Sequence, residues 1–408
     1  MKKTGNNPVI ENDGVCDPHL HVFNGKMYMY TSHDDGPGHS DYTMYDWRIF
    51  STEDFLHWNL EGTFRPEDSY IGPWRKCYAC DAAQRNGKYY FYFSQDQIST
   101  GVAVSDQPGG PFKDALGKPL LPQGLVDTAC YDPTVFIDDD EAKTPYIIFG
   151  YTVFGKSYYI ARLNEDMISL AEDPKPIVIE NGWKNDATWI TKRNGLYYLN
   201  SHGACYATST NIYGPYTARE HFYQDAYGDH STFCDFHNQT YCAYGVPENW
   251  DSGEKVDPFY RTAKIVYAHF RQNGDIVIDP FICKMGVGQY DTAWGQIQAA
   301  WYFSADDGVS KVDAEDGFAV CFAEGGKLTY PHMRNLPEKG CITLRAACAE
   351  PAGGKITVSI NGQRAGECAI ENTRGEFENF TCPILCAAGE GNVELTVKGA
   401  SLRWFEIQ

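Results

Sequence analysis

The chain has 408 residues, enough for two domains with a large apolar core. Its net charge of −20 excludes the basic surface that nucleic acid or an anionic membrane requires, so we expect neither as a partner. The opening stretch MKKTGNNPVIENDG has no apolar run after its lysines, and no stretch reaches the length of a membrane span. We therefore expect a cytoplasmic protein whose 14 cysteines are reduced, buried thiols.

A repeated hairpin organises the first 290 residues. Each copy has a short apolar strand, a polar turn and a Tyr-rich alternating strand. Asn-Gly is a strong hairpin signal because both central residues of the turn need a positive φ. The intervals between the turns, 62, 54, 54 and 44 residues, suit one four-stranded sheet per copy. The copies read HVFNGKMYMYTS, AAQRNGKYYFYFS, VFIDDDEAKTPYIIFG, WITKRNGLYYLNS and FCDFHNQTYCAYG, with turns near Asn24, Asn86, Asp140, Asn194 and Asn238.

Five such copies predict an all-β chain that begins with a five-bladed β-propeller over residues 1–290. The alternative is a stack of ordinary β-meanders, which would show the same hairpins. Beyond residue 290 the hairpin repeat stops, and short strands such as GCITLRAACA, GKITVSINGQ and LRWFEIQ predict a β-sandwich over residues 300–408. No low-complexity or Pro-rich linker separates the two parts, so we expect them to pack on each other.

Acidic residues recur just before the inner strand of successive predicted blades. Asp17, Asp81, Asp132 and Asp186 precede the first four hairpins, and His230 takes the same place before the fifth. Because the loops that lead into the innermost strands gather at one mouth of a propeller, these side chains should converge there. Converging carboxylates shift one another's pKa values, which lets one acid stay protonated while another stays charged. Glycoside hydrolysis requires that division between a proton donor and a base or nucleophile.

The stretches DPHLHVFNGKMYMYTSHD, YDPTVFIDDD and ATWITKRNGLYYLNS resemble glycoside hydrolase family 43, over residues 10 to about 285. That family comprises five-bladed propellers that act on arabinose-, xylose- and galactose-containing polysaccharides and invert the anomeric centre. The resemblance implies that Asp17 is the general base that activates water, and that Asp132 tunes the pKa of the proton donor and helps to orient the sugar. It also implies that Arg261 contacts the sugar. His230 would lie in the channel near a bound calcium ion or water cluster, and no organic cofactor is implied.

The proton donor of that family is a glutamate at the start of the fourth blade, where this chain reads NDAT. Asp186 therefore stands where a longer acid is expected, and a misplacement of about 1 Å costs roughly 100-fold in rate. We predict that Asp186 is the general acid, with Glu180 as the alternative. Loss of catalysis is the third interpretation.

Aromatic and histidine side chains near the same strands are further candidates for sugar contacts. Sugars present C–H faces that stack on aromatic rings, and imidazoles donate hydrogen bonds. Core packing or another structural role is the alternative for each of them, and the spacing of the three histidines matches no compact metal motif. The candidates are Trp74, Phe154, Trp183, His19, His33, His202 and Asp81.

Residues from about 300 to 408 resemble a family 6 carbohydrate-binding module, on stretches such as GKITVSINGQRAGECAI, GEGNVELTVKG and LRWFEIQ. Such modules are β-sandwiches that bind sugars on aromatic platforms in their loops. Phe377 and Phe380 stand where the platform rings are expected, but a phenyl ring offers less stacking area than an indole. Bracing the propeller or completing its pocket is therefore the alternative role of this part of the chain.

These features together predict an inverting, exo-acting glycosidase that removes terminal arabinofuranosyl or xylosyl units from plant-derived oligosaccharides. A cytoplasmic location favours oligosaccharides over polymers as the substrate. One alternative is a galactan-directed glycosidase of the same family, and another is a sugar-binding propeller with impaired catalysis.

Overall fold

The computed structural model describes residues 5–152, 155–182, 185–219, 221–222, 229–250, 255–314 and 317–408. Strands dominate these residues, and α1 (Pro280–Met285) is the one α-helix among them. Short 3₁₀ helices lie at Pro66–Asp68, His202–Ala204, Thr292–Trp294 and Ala299–Trp301. In the described part of the chain, no helix combines the length and apolar character needed to cross a bilayer.

The first 21 strands form five sheets, which are the blades. Blade 1 contains β1 (Val15–Phe23), β2 (Lys26–Asp34), β3 (Met44–Thr52) and β4 (Asn59–Phe64). Blade 2 contains β5 (Cys77–Arg85), β6 (Lys88–Gln95), β7 (Ser99–Ser105) and β8 (Lys113–Asp114). Blade 3 contains β9 (Thr134–Ile137), β10 (Pro145–Gly150), β11 (Tyr158–Arg162) and β12 (Lys175–Pro176).

Blade 4 has five strands: β13 (Ile179–Glu180), β14 (Trp189–Arg193), β15 (Leu196–Ser201), β16 (Cys205–Ser209) and β17 (Tyr216–Ala218). In this blade β13 pairs in parallel with β17 at the outer edge, and β14 is the inner strand. Blade 5 contains β18 (Ser231–Phe236), β19 (Gln239–Pro247), β20 (Arg261–Phe270) and β21 (Ile276–Ile278).

The innermost strands close into a ring. Contacts run from β1 to β5, β9, β14 and β18 in turn and back to β1. The N-terminal segment strengthens the junction of blades 5 and 1, because Val9 N–H donates to the Ala263 carbonyl at 3.0 Å and Ile265 N–H donates to Asn7 Oδ1 at 3.0 Å. The predicted five-bladed propeller is therefore confirmed, and the unclosed stack of meanders is excluded.

The hairpin turns show why the repeat could be recognised. Asn24 and Gly25 both have a positive φ, 52° and 76°, and the Asn-Gly pairs of blades 2 and 4 repeat this geometry. Blade 5 makes the same turn with His237 and Asn238. The third turn is longer, and its Asp140 carboxylate accepts hydrogen bonds from the backbone and hydroxyl of Thr144 at 2.8 and 2.7 Å.

Two further sheets follow blade 5 and α1. In chain order their strands are β22 (Tyr290–Asp291), β23 (Ile297–Gln298), β24 (Ser304–Ala305), β25 (Val309–Ala314), β26 (Gly317–Phe322), β27 (Gly326–Leu336), β28 (Lys339–Ala347), β29 (Gly354–Ile360), β30 (Gln363–Ile370), β31 (Glu378–Leu385), β32 (Gly389–Lys398) and β33 (Ser401–Ile407). One sheet has the order β22-β27-β32-β29-β30, with β24 added on β27. The other has the order β25-β26-β33-β28-β31, with β23 added on β33. The predicted β-sandwich is therefore confirmed.

The sandwich and blade 5 share one apolar core. Tyr241 and Val266 of the propeller belong to the same buried cluster as Phe303 and Leu344. Hydrogen bonds cross the junction as well, because the Tyr241 hydroxyl donates to the Phe303 carbonyl at 2.7 Å. The two parts therefore pack against each other as the sequence predicts.

The two phenylalanines of the predicted sugar platform are only partly exposed. Phe377 is half-buried, and Phe380 lies in β31 and packs against the shared core. The packing of Phe380 against the shared core favours the bracing role.

Candidate active site

A pocket of about 170 Å³ lies at one mouth of the propeller channel. All five blades contribute to its walls, chiefly through their inner strands and the segments that lead into them, so residues far apart in sequence meet there. Six of the predicted site residues line it: Asp17, Asp132, Asp186, His202, His230 and Arg261. The convergence expected from the repeat is therefore present in the structure.

Asp17 lies at a bulge near the start of β1. Its φ of 48° falls in the left-handed region, which Asp adopts more readily than most residues. The pairing of β1 with β2 shifts between Cys16 and His19, which turns the Asp17 side chain into the pocket. Its carboxylate accepts a hydrogen bond from Arg261 Nη1 at 2.8 Å and another from the Ser32 hydroxyl.

Arg261 is buried among three carboxylates. Its guanidinium binds Asp17, Asp34 and Asp229, and the contact with Asp34 is bidentate at 3.0 and 3.1 Å. Although burial opposes the charge, these carboxylates raise the pKa of Arg261 well above its ordinary value. The arginine therefore remains a fixed cation that holds Asp17 from one side.

Asp132 and His230 form a buried contact in the wall of the pocket. The Asp132 Oδ2 atom lies 3.6 Å from His230 Nε2 and accepts the Ala187 backbone N–H at 3.2 Å. Burial raises the pKa of Asp132 to about 6, although His230 acts in the opposite direction. Burial alone would lower the pKa of His230, but Asp132 raises it to about 9. Near neutral pH the two groups are therefore an ion pair.

Asp186 reaches the pocket from the segment before β14. Its Oδ2 atom accepts a hydrogen bond from the Tyr131 hydroxyl at 2.8 Å. Its backbone carbonyl accepts the Ser201 hydroxyl at 2.8 Å and the His202 N–H at 3.2 Å. The peptide group between Asp186 and Ala187 is thus anchored at both ends, because its N–H, of Ala187, is held by Asp132.

His202 connects the two sides of the pocket. Its Nδ1 atom lies 3.0 Å from Asp229 Oδ1, and Asp229 in turn binds Arg261. Burial opposes protonation, but Asp229 raises the pKa of His202 above its ordinary value, and Asp186 adds to this effect. Burial also opposes ionisation of Asp229, whose pKa Arg261 and His202 nevertheless hold far below its usual range.

Some predicted sugar contacts lie elsewhere in the structure. His19 and Asp81 are fully buried in the channel, where Asp81 also accepts from His21 Nε2 at 2.6 Å, so a sugar does not reach them. His33 lies outside the pocket and pairs with Asp46 at 2.8 Å.

Trp74 lines a neighbouring pocket rather than this one. The alternative acid, Glu180, is exposed on the outer strand β13. Phe154 and Trp183 fall outside the described residues.

The channel residues do not fit a calcium ion bound directly by His230. Calcium takes six to eight oxygen ligands. The two ring nitrogens of His230 instead face protein groups, Nδ1 at 2.9 Å from His19 Nε2 and Nε2 towards Asp132. His19 Nδ1 lies 3.1 Å from Asp81 Oδ1, at an angle too bent for a regular hydrogen bond. Among the residues that the structure describes, no cluster of three or more His, Cys, Asp or Glu could hold a metal.

Several lining residues were not singled out from the sequence. They stand beside residues that were: Tyr131 precedes Asp132, Asp229 precedes His230, and Tyr78 lies three positions before Asp81. Tyr42 also lines the pocket, and its ring lies 4.6 Å from the Arg261 guanidinium carbon. Tyr131 and Tyr78 could have been found by asking which neighbours of a converging acid share its loop.

Comparisons with known proteins agree with this geometry. A sequence model of the family Glycosyl hydrolases family 43 matches residues 5–240. A xylosidase/arabinosidase of Bacteroides ovatus is 32% identical over 269 residues, covering 53% of this chain and 80% of that protein. The crystal structure of a family 43 β-xylosidase/α-arabinofuranosidase from a compost microbial metagenome, in complex with xylotriose, is 30% identical with a TM-score of 0.57, covering 68% of this chain and 98% of the other.

The fold of the whole chain also has a counterpart. An arabinoxylan arabinofuranohydrolase of Bacillus subtilis has a TM-score of 0.59 at 20% identity, and the alignment covers 99% of this chain and 97% of the other. At that identity the likeness is one of fold, and it extends through the sandwich. The family match covers more than half of the chain, and its residues include Asp17, Asp132 and Asp186. The chain therefore belongs to glycosyl hydrolase family 43, and it is a glycoside hydrolase.

Proposed function

We propose that this protein is an inverting, exo-acting glycosidase that removes terminal arabinofuranosyl or xylosyl units from plant-derived oligosaccharides. One observation carries the proposal: a single small pocket receives Asp17, Asp132 and Asp186 from three different blades. The relatives with names such as xylosidase/arabinosidase support a pentose as the unit removed.

In this proposal, Asp17 is the general base. Two fixed donors, Arg261 and Ser32, hold its carboxylate in the pocket. Asp17 takes a proton from a water molecule, which then attacks the anomeric carbon as the glycosidic bond breaks. Inversion follows because the water arrives on the face opposite to the leaving group.

Asp186 is the proposed general acid, and Asp132 supports it. Asp186 gives its proton to the leaving oxygen, while the Tyr131 hydroxyl fixes the orientation of its carboxyl group. Asp132 holds the peptide N–H that follows Asp186 and so couples the acid to the charged pair with His230.

The size of the pocket supports exo action. Its volume of about 170 Å³ is below the roughly 300–1,000 Å³ typical of sites for larger ligands. His230 and the buried His19 behind it fill the channel on the inner side. A single terminal sugar unit fits such a pocket better than an internal unit of a long chain.

The first experiment is a panel of nitrophenyl glycosides comprising the α-L-arabinofuranoside, the β-D-xyloside and the β-D-galactoside. We expect hydrolysis of a pentoside, with NMR showing that the first product has the inverted anomeric configuration. Release of the galactoside alone would favour the galactan-directed alternative. Binding of oligosaccharides without turnover of any substrate would favour a propeller with impaired catalysis.

Asp17→Asn tests the base. Activity on every substrate, including those with activated leaving groups, should fall by about 100-fold or more, because water attack still needs a base. Asp46→Asn is the matched control, since Asp46 pairs with His33 and does not line the pocket. Retention of more than roughly a tenth of the wild-type rate in Asp17→Asn would remove Asp17 from this role.

A further inference from the structure

Cys368 and Cys382 lie on two strands that meet where the two sheets of the sandwich end. β30 is the edge strand of one sheet, and β31 is the edge strand of the other. The two strands follow one another in the chain and are joined by residues 371–377, so the chain passes from one sheet to the other at this edge. A covalent link between β30 and β31 would therefore tie the two sheets together.

The close approach of the two backbones shows which residues of β30 and β31 face each other. A Cβ atom placed on Gly366 would lie 2.6 Å from the Pro383 carbonyl oxygen and 3.6 Å from the Ile384 Cα. Because a short connection joins the strands, they run in opposite directions. Two residues further along β30 and two residues back along β31, Cys368 therefore lies opposite Cys382.

Both thiols face the interior of the sandwich and interact there. Each alternates with exposed residues along its strand, and both belong to the shared apolar cluster. Burial raises the pKa of Cys368, which a hydrogen bond from the Cys382 thiol lowers in part. Burial raises the pKa of Cys382 to about 12, and the neighbouring Cys368 adds to this effect. Cys368 is therefore the sulfur of the pair that ionises more readily.

Other cysteines near the pair are placed less well for a link with Cys368. In the pairing of β28 with β31, Ile342 lies opposite Cys382 and Cys341 lies opposite Pro383, so Cys341 is on the other face of its sheet. The Cys386 sulfur contacts the Pro337 carbonyl oxygen at 3.1 Å. The register thus selects Cys382 as the partner of Cys368.

We infer that Cys368 and Cys382 form an oxidation site, at which a small peroxide converts the two thiols into a disulfide that closes the edge of the sandwich. The structure holds both as free thiols. They are 4% and 6% exposed, which admits a small oxidant more readily than a large one. The site is distinct from the catalytic pocket and independent of the sugar that the protein hydrolyses.

The reaction takes place in two steps. The Cys368 thiolate attacks hydrogen peroxide, the O–O bond breaks, and the sulfur is oxidised to a sulfenic acid as hydroxide leaves. The Cys382 sulfur then attacks the sulfenic sulfur, so that an S–S bond forms and an S–O bond breaks. The hydroxyl group leaves as water with the thiol proton of Cys382. In sum, two thiols and one hydrogen peroxide give one disulfide and two water molecules.

Peptide mapping of the full chain tests the pairing. The folded protein is treated with hydrogen peroxide, its remaining thiols are alkylated, and it is digested with trypsin without reduction. Cleavage after Arg374 separates the two cysteines, so we expect a cross-linked pair of peptides that dithiothreitol splits. Absence of this pair from the oxidised wild-type chain, with Cys368 either alkylated or oxidised beyond the sulfenic acid, would overturn the inference.

Two variants identify the partner of Cys368. Cys386→Ser is the matched control, because Cys386 lies on the same tryptic peptide as Cys382, and the cross-link should persist in it. Cys382→Ser should abolish the cross-link and leave a sulfenic acid on Cys368 that dimedone traps. A cross-link that persists in Cys382→Ser, or is lost in Cys386→Ser, would contradict the assigned pairing.

The melting temperature measures what the disulfide does to the fold. A link between β30 and β31 restricts the unfolded chain, so oxidation should raise the melting temperature of the wild-type protein by about 3 °C or more. Dithiothreitol should reverse the rise, and Cys382→Ser should show none. A cross-link that forms without raising the melting temperature would mean that it does not close the edge of the sandwich. None of these measurements depends on hydrolysis, so their failure would leave the catalytic proposal intact.

Discussion

Asp186 occupies the place where the family resemblance implies a glutamate, and its surroundings are built around the shorter side chain. The Tyr131 hydroxyl already lies 2.8 Å from its carboxylate. The peptide group that follows Asp186 is anchored at both ends by Ser201 and Asp132. The peptide group that precedes it is anchored through the Asn185 carbonyl, which accepts the Thr152 N–H at 2.9 Å. A longer side chain would therefore have to displace Tyr131 or strain an anchored backbone.

Two substitutions at Asp186 test its role as the acid. Asp186→Ala should reduce hydrolysis of a natural disaccharide linkage far more than that of a dinitrophenyl glycoside, because a dinitrophenolate leaves without a proton. Asp186→Glu should slow the enzyme by about 10- to 100-fold. Because the backbone is anchored, the longer side chain would place its carboxyl group beyond the position that the Asp186 carboxyl occupies. The measurement is kcat/KM on both substrates, with azide added to the Ala variant as a rescuing nucleophile.

Two outcomes would contradict this assignment. A rise in rate for Asp186→Glu would mean that the site still prefers the family glutamate. Equal losses on natural and activated substrates in Asp186→Ala would remove Asp186 as the acid. His202 would then be the next residue to replace, because it lines the pocket and its pKa is raised, whereas Glu180 lies on an outer strand.

The raised pKa of Asp132 predicts how kcat/KM depends on pH. Burial raises its pKa from 3.8 to about 6, so the carboxylate gains a proton as the pH falls through about 6 and its ion pair with His230 is lost. The acidic limb of kcat/KM should therefore lie near pH 6. Asp132→Asn should lower the rate and remove that limb, while the control Asp46→Asn should keep it. An unchanged rate and profile in Asp132→Asn would make Asp132 a structural turn residue only.

At the scale of the elements, the inner strands carry polar groups into the channel, where a metal was expected. His19 of β1, His230 before β18 and Asp132 before β9 meet there. His230, with a pKa of about 9, supplies a positive charge among the carboxylates at neutral pH. We therefore expect that EDTA changes neither the activity nor the melting temperature, measured after dialysis and again after addition of Ca²⁺. A calcium-dependent loss and recovery would contradict this assignment of the channel.

The strands and turns also show which features of the fold and the site could be predicted from the sequence alone. Asn24-Gly25 and its equivalents predict the hairpins because their positive φ values are a local property of the turn. The convergence of Asp17, Asp132 and Asp186 follows once the blades are counted. The orientation of His19 could not be predicted, because the register shift between Cys16 and His19 changes the face on which β1 places its side chains.

The position of the Trp74 side chain is a second feature that could not be predicted from the sequence. It lies in the long connection between β4 and β5, where no periodicity fixes the direction of a side chain. Its place next to Tyr45 depends on the pairing of Met44 with Lys76, a contact between blades. A contact between residues so far apart in the sequence cannot be recognised from the local pattern of residues.

At the scale of the whole molecule, the sandwich stabilises the catalytic propeller, because the two share one continuous apolar core. Gln239 of blade 5 donates through Nε2 to the Ala300 and Tyr302 carbonyls at 3.0 and 2.6 Å. Buried Tyr241 adds its bond to Phe303, and all these groups lose their partners if the sandwich separates. Each such hydrogen bond stabilises the folded chain by about 0.5–1.5 kcal/mol relative to hydration of its groups, so separation is opposed at several points at once.

Matched cavity variants test whether the two parts unfold together. Leu395→Ala removes a fully buried side chain from β32 of the sandwich, and Ile265→Ala does the same in β20 of blade 5, within the same apolar cluster. Each change should lower the free energy of unfolding by about 2–5 kcal/mol. Because the core is continuous, we expect one calorimetric transition in each variant, and the temperature at which activity is lost should fall in both. If Leu395→Ala shifted one of two transitions and left the temperature of activity loss unchanged, the sandwich would be an independent unit and the bracing role would be wrong.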